Sequence, residues 1–219
     1  MSVKVDLHTH SKASADGSLG MLDYQHVLDK GVLDCVAITD HDKFAFALEL
    51  QRACGKDRVI VGEEITTAEG ELIGLYLTKK VQPGMSARET AEAIRKQGGL
   101  VYVPHPFETV RKGLSKEVLD AMADLVDIIE IHNGRAVLQD RSSRASEWSA
   151  AHKVPGAASS DAHGRAGWGK TYSVLADMPT RDTLVQLLAG ATYQRRFPGV
   201  RGVGYPKFNR LRKKIKSYV

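Results

Sequence analysis

The feature that most constrains this chain is a recurring pattern in which a metal-competent side chain follows a short apolar run. The first run, residues 3–7, ends in His8 and His10, which lie two positions apart. Residues two apart on a strand project to the same face, so both imidazoles can reach one ion while Thr9 points away. Later apolar runs are followed by further groups of this kind, namely His41, Glu64, His105, His132, Asp161 and His163. The pattern predicts that distant parts of the chain meet at one multinuclear metal site.

Strand-like and helix-like stretches alternate along the body of the chain. Predicted strands cover residues 3–7, 34–39, 59–62, 72–77, 100–103, 127–131 and 156–159, with a hairpin near residues 68–71. Predicted helices cover residues 21–29, 44–53, 91–96, 116–125, 137–152 and 180–188, with caps at Ser18, Ser86 and Thr180. This alternation favours an α/β barrel or a doubly wound sheet. Ligands on five or six strands favour the closed barrel, because only the strands beside the switch point of an open sheet meet a ligand.

Length and composition limit the class of protein. A chain of 219 residues that is 42% hydrophobic is long enough for one domain with a large core. Its two cysteines, Cys35 and Cys54, have neither CxxC spacing nor a disulfide framework, which favours a reducing cytoplasm. No apolar run approaches the ~18 residues of a membrane helix, so we expect a cytoplasmic protein that does not enter the membrane.

Positive charge is concentrated at the end of the chain. The net charge is +5, but residues 193–219 hold nine Lys or Arg and no carboxylate, whereas the other 192 residues hold 22 basic and 26 acidic groups. We therefore divide the chain into a metallo-hydrolase domain, residues 1–192, and a basic extension, residues 193–219. The extension is predicted to be a helix whose apolar stripe packs on the barrel through Phe208, Leu211, Ile215 and Tyr218. The alternative is that its charges bind a polyanion.

Each candidate ligand taken alone has an ordinary structural explanation. His41 can belong to a helix-capping turn, Asp16 to an Asp-Gly turn, and Glu64 to a solvent-exposed strand. Two successive Glu residues on a strand point to opposite faces, however, and a metal would explain the inward one. Imidazole nitrogens and carboxylates suit zinc, manganese or iron, and the lack of a cysteine cluster argues against a structural thiolate site.

Four segments together resemble the signature motifs of the PHP (polymerase and histidinol phosphatase) family. They are Asp6-Leu7-His8-Thr9-His10-Ser11, Thr39-Asp40-His41-Asp42, Pro104-His105-Pro106 and Ser160-Asp161-Ala162-His163. The resemblance spans residues 3–174 and keeps the order of the motifs. It implies a distorted seven-stranded (β/α) barrel of the TIM-like type, in agreement with the seven predicted strands, and up to three bound divalent ions.

The resemblance also implies how the ligands divide among these ions. The nine implied ligands form three sets: His8, His10, Glu64 and Asp161 for one ion; Glu64, His105 and His132 for a second; and Asp16, His41 and His163 for a third. Asp40 would lie outside the ligand sets and orient a ligand.

The chemistry expected from such a site is hydrolysis of a phosphoester by a metal-bound water, without a protein nucleophile. The expected substrate is a small phosphomonoester or a nucleotide. Arg135 matches a position where the family places a cation against the substrate phosphate, and a guanidinium suits that geometry. Arg165, Lys170 and Lys12 lie near other motifs and are further substrate-binding candidates, although each also fits an ordinary surface charge.

Two other functions remain open from the sequence. A nuclease or exonuclease could hold nucleic acid with the basic extension, in which the aromatic residues Tyr193, Phe197, Tyr205 and Phe208 are interleaved. A metal-stabilised binding module without catalytic activity is the other alternative. The sequence specifies neither the substrate, nor the metal, nor the oligomeric state.

Overall fold

The computed structural model describes residues 2–137 and 139–216. Within these ranges one sheet contains nine strands: β1 (Val3–Thr9), β2 (Cys35–Ile38), β3 (Val59–Thr66), β4 (Glu71–Leu75), β5 (Leu100–Val103), β6 (Ile128–Asn133), β7 (Gly156–Ser159), β8 (Thr171–Leu175) and β9 (Thr192–Arg195). The α-helices within them are α1 (Met21–Asp29), α2 (Ala45–Cys54), α3 (Ala87–Lys96), α4 (Lys116–Ala121), α5 (Ser142–His152), α6 (Leu184–Ala189) and α7 (Gly199–Lys216). In this described part of the chain, none of the helices has the length and apolar character needed to cross a membrane.

The sheet curls into a nearly closed barrel. Its strand order is β7-β6-β5-β4-β3-β2-β1-β8-β9. The pairs β1–β2, β2–β3, β5–β6 and β6–β7 are parallel, whereas β4 is antiparallel to both of its neighbours. The end of β7 returns to β1, where Thr9 forms a parallel bridge with Ala162 and the His10 amide donates to the Ala162 carbonyl at 2.9 Å. Six strands therefore run in one direction, and their carboxyl ends meet at one rim, where barrel enzymes assemble their sites.

The predicted number of seven strands is wrong, because the sheet contains nine. The additional strands are β8, which pairs antiparallel with the first residues of β1, and β9, which pairs antiparallel with β8. Every second residue of β8 is only half-buried, and β9 is half-buried or exposed along its whole length. Such short strands lack an apolar run of their own and depend on pairing with a neighbour.

The core is divided by the two faces of the strands. In β5, Val101 and Val103 pack in one buried cluster with Ile94 of α3. Tyr102, which lies between them in the chain, packs in another cluster with Ile73 of β4. Because successive side chains of a strand point to opposite faces, helices cover one face of β5 and other strands cover the second. β5 is thus covered on both faces, and it ends next to His105 at the rim of the barrel.

Several local predictions are confirmed. The bounds of α1 are those predicted, and Gly31 follows the helix with a φ of 59°, a left-handed conformation that glycine adopts without strain. The predicted capping box of α3 is present, since the Glu89 amide donates to Ser86 Oγ at 3.3 Å and the Ser86 amide donates to Glu89 Oε2 at 3.0 Å.

One predicted helix cap and two predicted helix starts are wrong. The cap of α1 is Gly20 rather than Ser18. The helix predicted from residue 137 begins at Ser142, whose amide donates to the Asp140 carboxylate at 3.0 Å, so that this acidic side chain marks the start. The helix predicted from Thr180 begins at residue 184, after a turn in which the residue 184 amide donates to the Thr180 carbonyl at 3.0 Å.

The C-terminal helix α7 docks on the barrel through a different face from the one predicted. The predicted contact residues Phe208, Leu211 and Ile215 are 60%, 60% and 57% exposed, and Tyr218 lies outside the described residues. The buried positions of the helix are instead Gly202, Pro206 and Asn209. Both stripes have helical spacing, so spacing alone does not identify the docked face. Polar contacts decide it, because the 3%-exposed Asn209 donates from Nδ2 to the carbonyls of Asp16 and His163.

Candidate metal centre

The rim of the barrel brings together eight of the nine predicted metal ligands. They come from the ends of four parallel strands, from within β3 and from the loop after β1, and they are His8, His10, Asp16, His41, Glu64, His105, Asp161 and His163. All except His41 are at most 3% exposed. Buried ionisable groups at this density require either mutual pairing or a bound cation.

The first predicted set has the dimensions of a coordination sphere. His8 Nε2 lies 3.0 Å from His10 Nε2, 3.4 Å from Glu64 Oε2 and 3.7 Å from Asp161 Oδ1. His10 Nε2 lies 3.2 Å from the same Glu64 oxygen and 3.4 Å from the same Asp161 oxygen. Ligands about 2.1 Å from a tetrahedral zinc ion are separated by about 3.4 Å from one another. The four atoms therefore fit one divalent ion at their centre.

Glu64 links this set to a second one. Its Oε1 lies 3.0 Å from His105 Nε2, while its Oε2 faces the first set and accepts no hydrogen bond from any described residue. Glu71 approaches the same nitrogen of His105, with Oε2 at 3.9 Å from Nε2. A carboxylate that offers one oxygen to each of two sets is the arrangement expected of a bridging ligand.

The third predicted set lies next to the first. Asp16 Oδ1 is 3.5 Å from His163 Nε2, and Asp16 Oδ2 is 3.6 Å from His41 Nε2. Asp16 Oδ1 and His163 Nε2 are buried and have no hydrogen-bond partner among the described residues. Leaving two such atoms unsatisfied is unfavourable, and a divalent cation between them would satisfy both.

Three histidines have Nδ1 engaged and Nε2 turned toward the cluster. His8 Nδ1 is 3.2 Å from Glu130 Oε1, and His163 Nδ1 is 2.9 Å from the Asp161 carbonyl. His10 Nδ1 is 3.3 Å from Ser14 Oγ, which donates to Asp40 Oδ1 at 2.7 Å. A hydrogen bond at Nδ1 selects the tautomer whose Nε2 lone pair is free for a metal. Ser14 thus connects the Asp40 carboxylate to the ring of His10.

His132 is not brought to the cluster, which corrects the second predicted set. The pairing of β6 with β7 shifts register between Glu130 and His132, so that a bulge falls within the strand. The His132 ring packs edge-on against Tyr193, with ring centroids 5.8 Å apart, and its Nδ1 has no described partner. A regular strand would place residues 130 and 132 on the same face, but the extra residue of a bulge turns the later one away.

Sequence analysis missed three residues of the site. The Glu130 carboxylate contacts His8, and it accepts a hydrogen bond from the His105 backbone amide at 2.7 Å. Glu71 reaches the cluster because the β3–β4 hairpin pairs it with Thr66, which shares a face of β3 with Glu64. The hairpin register was the signal that could have identified Glu71. Arg111 lies in a loop without any motif, and no local signal marks it.

Two arginines, one predicted and one missed, contact Asp161. Arg135 Nη1 and Arg111 Nη1 donate to Asp161 Oδ2 at 3.1 and 2.7 Å. Both line a cavity of about 480 Å³ that opens above the metal ligands. The other predicted substrate-binding residues, Arg165, Lys170 and Lys12, are absent from the lining among the described residues. Arg165 instead pairs at the surface with Asp23, to which its Nε donates at 2.7 Å.

Charges within the cluster shift its ionisation strongly. Burial opposes protonation of His10, but the hydrogen bonds that its ring donates to the Asp161 and Glu64 carboxylates raise its pKa to about 9. Burial opposes ionisation of Asp161, yet the charges of Arg135 and His8 hold its pKa well below the usual range. Burial and the charge of His10 lower the pKa of His163 to about 3. A proton on His10 competes with a metal ion for Nε2, so metal binding should release protons.

Comparison with known proteins identifies relatives in an archaeon. No model of a protein family matches the chain. An uncharacterized protein of Methanocaldococcus jannaschii is 33% identical over 151 residues, which cover 63% of this chain and 88% of the relative. The chain belongs to the family of that protein. A second uncharacterized protein of the same archaeon is 35% identical over 167 residues, which cover 74% of this chain but only 65% of that relative.

Solved structures share the fold of this chain. PsfC from Pseudomonas syringae matches with a TM-score of 0.68 at 13% identity over 98% of this chain and 99% of that chain. A two-domain protein from Bacteroides vulgatus containing a predicted PHP-like metal-dependent phosphoesterase matches with a TM-score of 0.67 at 18% identity, over 90% of this chain and 65% of that chain. A lesion-specific endonuclease from Pyrococcus furiosus matches with a TM-score of 0.64 at 19% identity, over 89% of this chain and 57% of that chain. The barrel is therefore the one found in PHP-like metal-dependent phosphoesterases.

Proposed function

We propose that this protein is a PHP-family, metal-dependent hydrolase of phosphoesters that acts on a small phosphomonoester or a nucleotide. The observation that carries the proposal is the first ligand set, in which two imidazole nitrogens lie 3.0 Å apart and each lies 3.2–3.7 Å from the same two carboxylate oxygens. One N–H group on each ring cannot donate to all of these partners, whereas one divalent cation between the four atoms would bind every one of them. The fold of the structural neighbours supports the same conclusion.

The residues present fit up to three divalent ions, for which zinc, manganese and iron are the candidates. The proposed ligand sets are His8, His10, Glu64 and Asp161; Glu64, His105 and Glu71; and Asp16, His41 and His163. Glu71 replaces the originally predicted His132 in the second set. When bound, such ions acidify water and stabilise negative charge on the phosphoryl oxygens.

The chain itself supplies substrate binding and ligand orientation. Arg111 and Arg135 face the cavity from the side of Asp161, where their guanidinium groups can donate to the phosphoryl oxygens of a substrate. Glu130 contacts Nδ1 of His8 directly, and Asp40 contacts Nδ1 of His10 through Ser14, so that the other ring nitrogen, Nε2, is the one that faces the cavity and can bind a metal ion. These contacts pre-organise the site before the substrate arrives.

Ser14, whose Oγ lies 3.3 Å from His10 Nδ1, is not arranged as a nucleophile. Ser14 Oγ donates to Asp40 Oδ1, and the side chain is completely buried. In a nucleophilic pair the hydroxyl would donate to the histidine and face the substrate. Water is therefore the attacking group in the proposed reaction, in agreement with the absence of a protein nucleophile from the expected chemistry.

A nuclease is the second candidate function. It is favoured by the position of α7, which contributes Lys207 and Arg210 to the lining of the cavity. A basic helix at the mouth of the site could contact the backbone of a nucleic acid, and that contribution would weaken as salt increases. Cleavage of short labelled oligonucleotides at low and at high salt, measured beside hydrolysis of a small chromogenic phosphate, distinguishes the two candidates.

The test is metal-dependent turnover. Protein stripped with a chelator and reloaded with manganese or zinc is assayed against p-nitrophenyl phosphate, its bis ester, sugar phosphates, nucleotides and oligonucleotides. We expect turnover that requires metal and is abolished in His8→Ala and His105→Ala. His26→Ala is the matched control, because His26 is exposed on α1 outside the ligand sets. Bound metal without turnover on any of these esters would support the binding module instead and overturn the enzymatic proposal.

A further inference from the structure

The C-terminal helix α7 forms hydrogen bonds with the loops that carry Asp16 and His163 of the third ligand set. Asn209 Nδ2 donates to the carbonyl oxygens of Asp16 and His163 at 2.7 and 3.1 Å. Lys213 Nζ donates to the carbonyls of Lys12, at 2.8 Å, and Ser14. The helix therefore satisfies backbone acceptors in the two segments that bear Asp16 and His163, and these two segments are held together by it.

One residue of α7 contacts a proposed ligand directly. Arg210 Nη2 donates to Asp16 Oδ2 at 2.6 Å. The other oxygen of the same carboxylate, Oδ1, faces His163 Nε2 at 3.5 Å and has no hydrogen-bond partner among the described residues. The guanidinium thus fixes the rotation of the carboxyl group, and it leaves for a cation the oxygen that points into the third set.

The same helix forms part of the cavity wall. Lys207 and Arg210 line the cavity on the side of Asp16, whereas Arg111 and Arg135 line it on the side of Asp161. The ring of His163 stands between these carboxylates, with Nδ1 at 3.3 Å from Asp161 and Nε2 at 3.5 Å from Asp16. In the described part of the chain Lys207 forms no ion pair, so its ammonium group is free to bind an anion.

We propose that α7 completes the active site, with Arg210 as the positioning residue for Asp16 and Lys207 as a binding residue for the anionic substrate. The proposal rests on the proposed function for its substrate. Two basic residues of the C-terminal segment would then act at the catalytic rim. The proposal predicts that metal occupancy of the third set depends on Arg210 and that phosphate binding depends on Lys207.

The test uses the full-length protein and three variants of these residues, Arg210→Gln, Arg210→Lys and Lys207→Gln. Arg212→Gln is the control, since Arg212 is exposed on the same helix and is not in the cavity lining. Metal per chain is measured by elemental analysis after dialysis against limiting manganese or zinc. Binding of inorganic phosphate to the metal-loaded proteins is measured by calorimetry, and kcat and KM are measured on the best ester.

We expect Arg210→Gln to lose about one ion per chain, because removing an orienting partner weakens metal affinity by about 10- to 100-fold. Arg210→Lys should recover part of that occupancy. Lys207→Gln should keep its metal and weaken phosphate binding by up to about fivefold, as for one partly exposed charge contact, with a matching rise in KM. Thermal unfolding of each variant without metal should match that of the wild type, which separates positioning from a loss of folding.

Equal metal content in Arg210→Gln and Arg212→Gln, together with equal phosphate affinity in Lys207→Gln and Arg212→Gln, would overturn the proposal. Metal content and phosphate binding are read without turnover. If the wild-type protein hydrolyses no ester, the proposed function fails while these two measurements still decide the role of α7.

Discussion

Replacing Glu130 with glutamine tests whether His8 is held for metal binding. Glu130 is 2% exposed, and each of its oxygens accepts from two groups. Oε1 faces the Tyr102 hydroxyl at 2.8 Å and His8 Nδ1 at 3.2 Å, and Oε2 faces the His105 amide at 2.7 Å and Asn133 Nδ2 at 2.8 Å. The carboxylate therefore receives up to four hydrogen bonds in a buried position, and a carboxamide of the same shape cannot receive all of them.

Neither orientation of the new amide preserves these contacts. If the NH₂ group replaces Oε2, it meets two donors, the His105 amide and the Asn133 side chain. If it replaces Oε1, the Tyr102 hydroxyl can turn toward Ser159 Oγ, 2.9 Å away, and accept. His8 must then accept at Nδ1, which moves its proton to Nε2 and removes the lone pair needed by the metal. The second orientation has fewer donor–donor contacts, so we expect the variant to adopt it. The variant should therefore fold, but it should bind metal poorly.

The expected magnitudes follow from these contacts. Loss of an orienting carboxylate lowers metal affinity by about 10- to 100-fold, or roughly 1.4 to 2.7 kcal/mol. Replacement of the charge-assisted hydrogen bonds of the buried carboxylate by the weaker hydrogen bonds of a carboxamide lowers the free energy of unfolding by about 1–3 kcal/mol. Competition with a chromophoric chelator measures the first quantity, and urea unfolding in the presence of a chelator measures the second.

The matched control for this substitution is Glu49→Gln, which makes the same chemical change at an exposed position of α2. It should leave both quantities within error of the wild type. If Glu130→Gln binds zinc or manganese as tightly as Glu49→Gln, then Nε2 of His8 is not a metal ligand, and the reasoning on the first set is refuted.

Four further substitutions test the fold. Gly17→Ala should unfold the loop that carries Asp16 of the third set, because an added Cβ would lie 1.9 Å from the Ser11 carbonyl oxygen. The free energy of unfolding should fall by about 2–4 kcal/mol, and an unchanged melting temperature would contradict this. Burial raises the pKa of Glu63 to about 7, so its contribution to stability is present at low pH and is lost as pH rises through that value. The free energy of unfolding of Glu63→Gln, relative to that of the wild type, should therefore rise by about 2 kcal/mol between about pH 5 and about pH 8, as measured by urea unfolding. A difference that stays constant with pH would refute the raised pKa. Leu211→Ser should change the free energy of unfolding by less than about 0.5 kcal/mol, whereas the buried Leu188→Ala should lower it by about 2–5 kcal/mol; a large effect at Leu211 would restore the apolar face as the docked one.

Much of the site was readable from the sequence because it follows local rules. His8 and His10 share a face through the two-residue period of a strand, and His41, His105 and Asp161 follow directly on predicted strands. These positions come together once the strands run parallel in a barrel, whatever the details of the helices. The capping box at residues 86–89 and the bounds of α1 were readable for the same reason.

Other features could not be read because no local pattern encodes them. Glu130 and His132 are equally spaced candidates on β6, and only the shift in pairing with β7 selects Glu130. The strand β9 has no apolar run and exists because β8 offers an edge. Arg111 reaches Asp161 across 50 positions of the chain.

The sequence by itself determined that imidazoles and carboxylates would gather at one end of an α/β barrel, since strand periodicity and the order of strands and helices are properties of neighbouring residues. Only the tertiary structure decided which carboxylate orients His8, which arginines stand over the cavity, and which face of α7 meets the barrel. A bulge, a loop conformation and a docked helix each depend on packing between segments far apart in the chain, and that packing leaves no periodic signal in either segment.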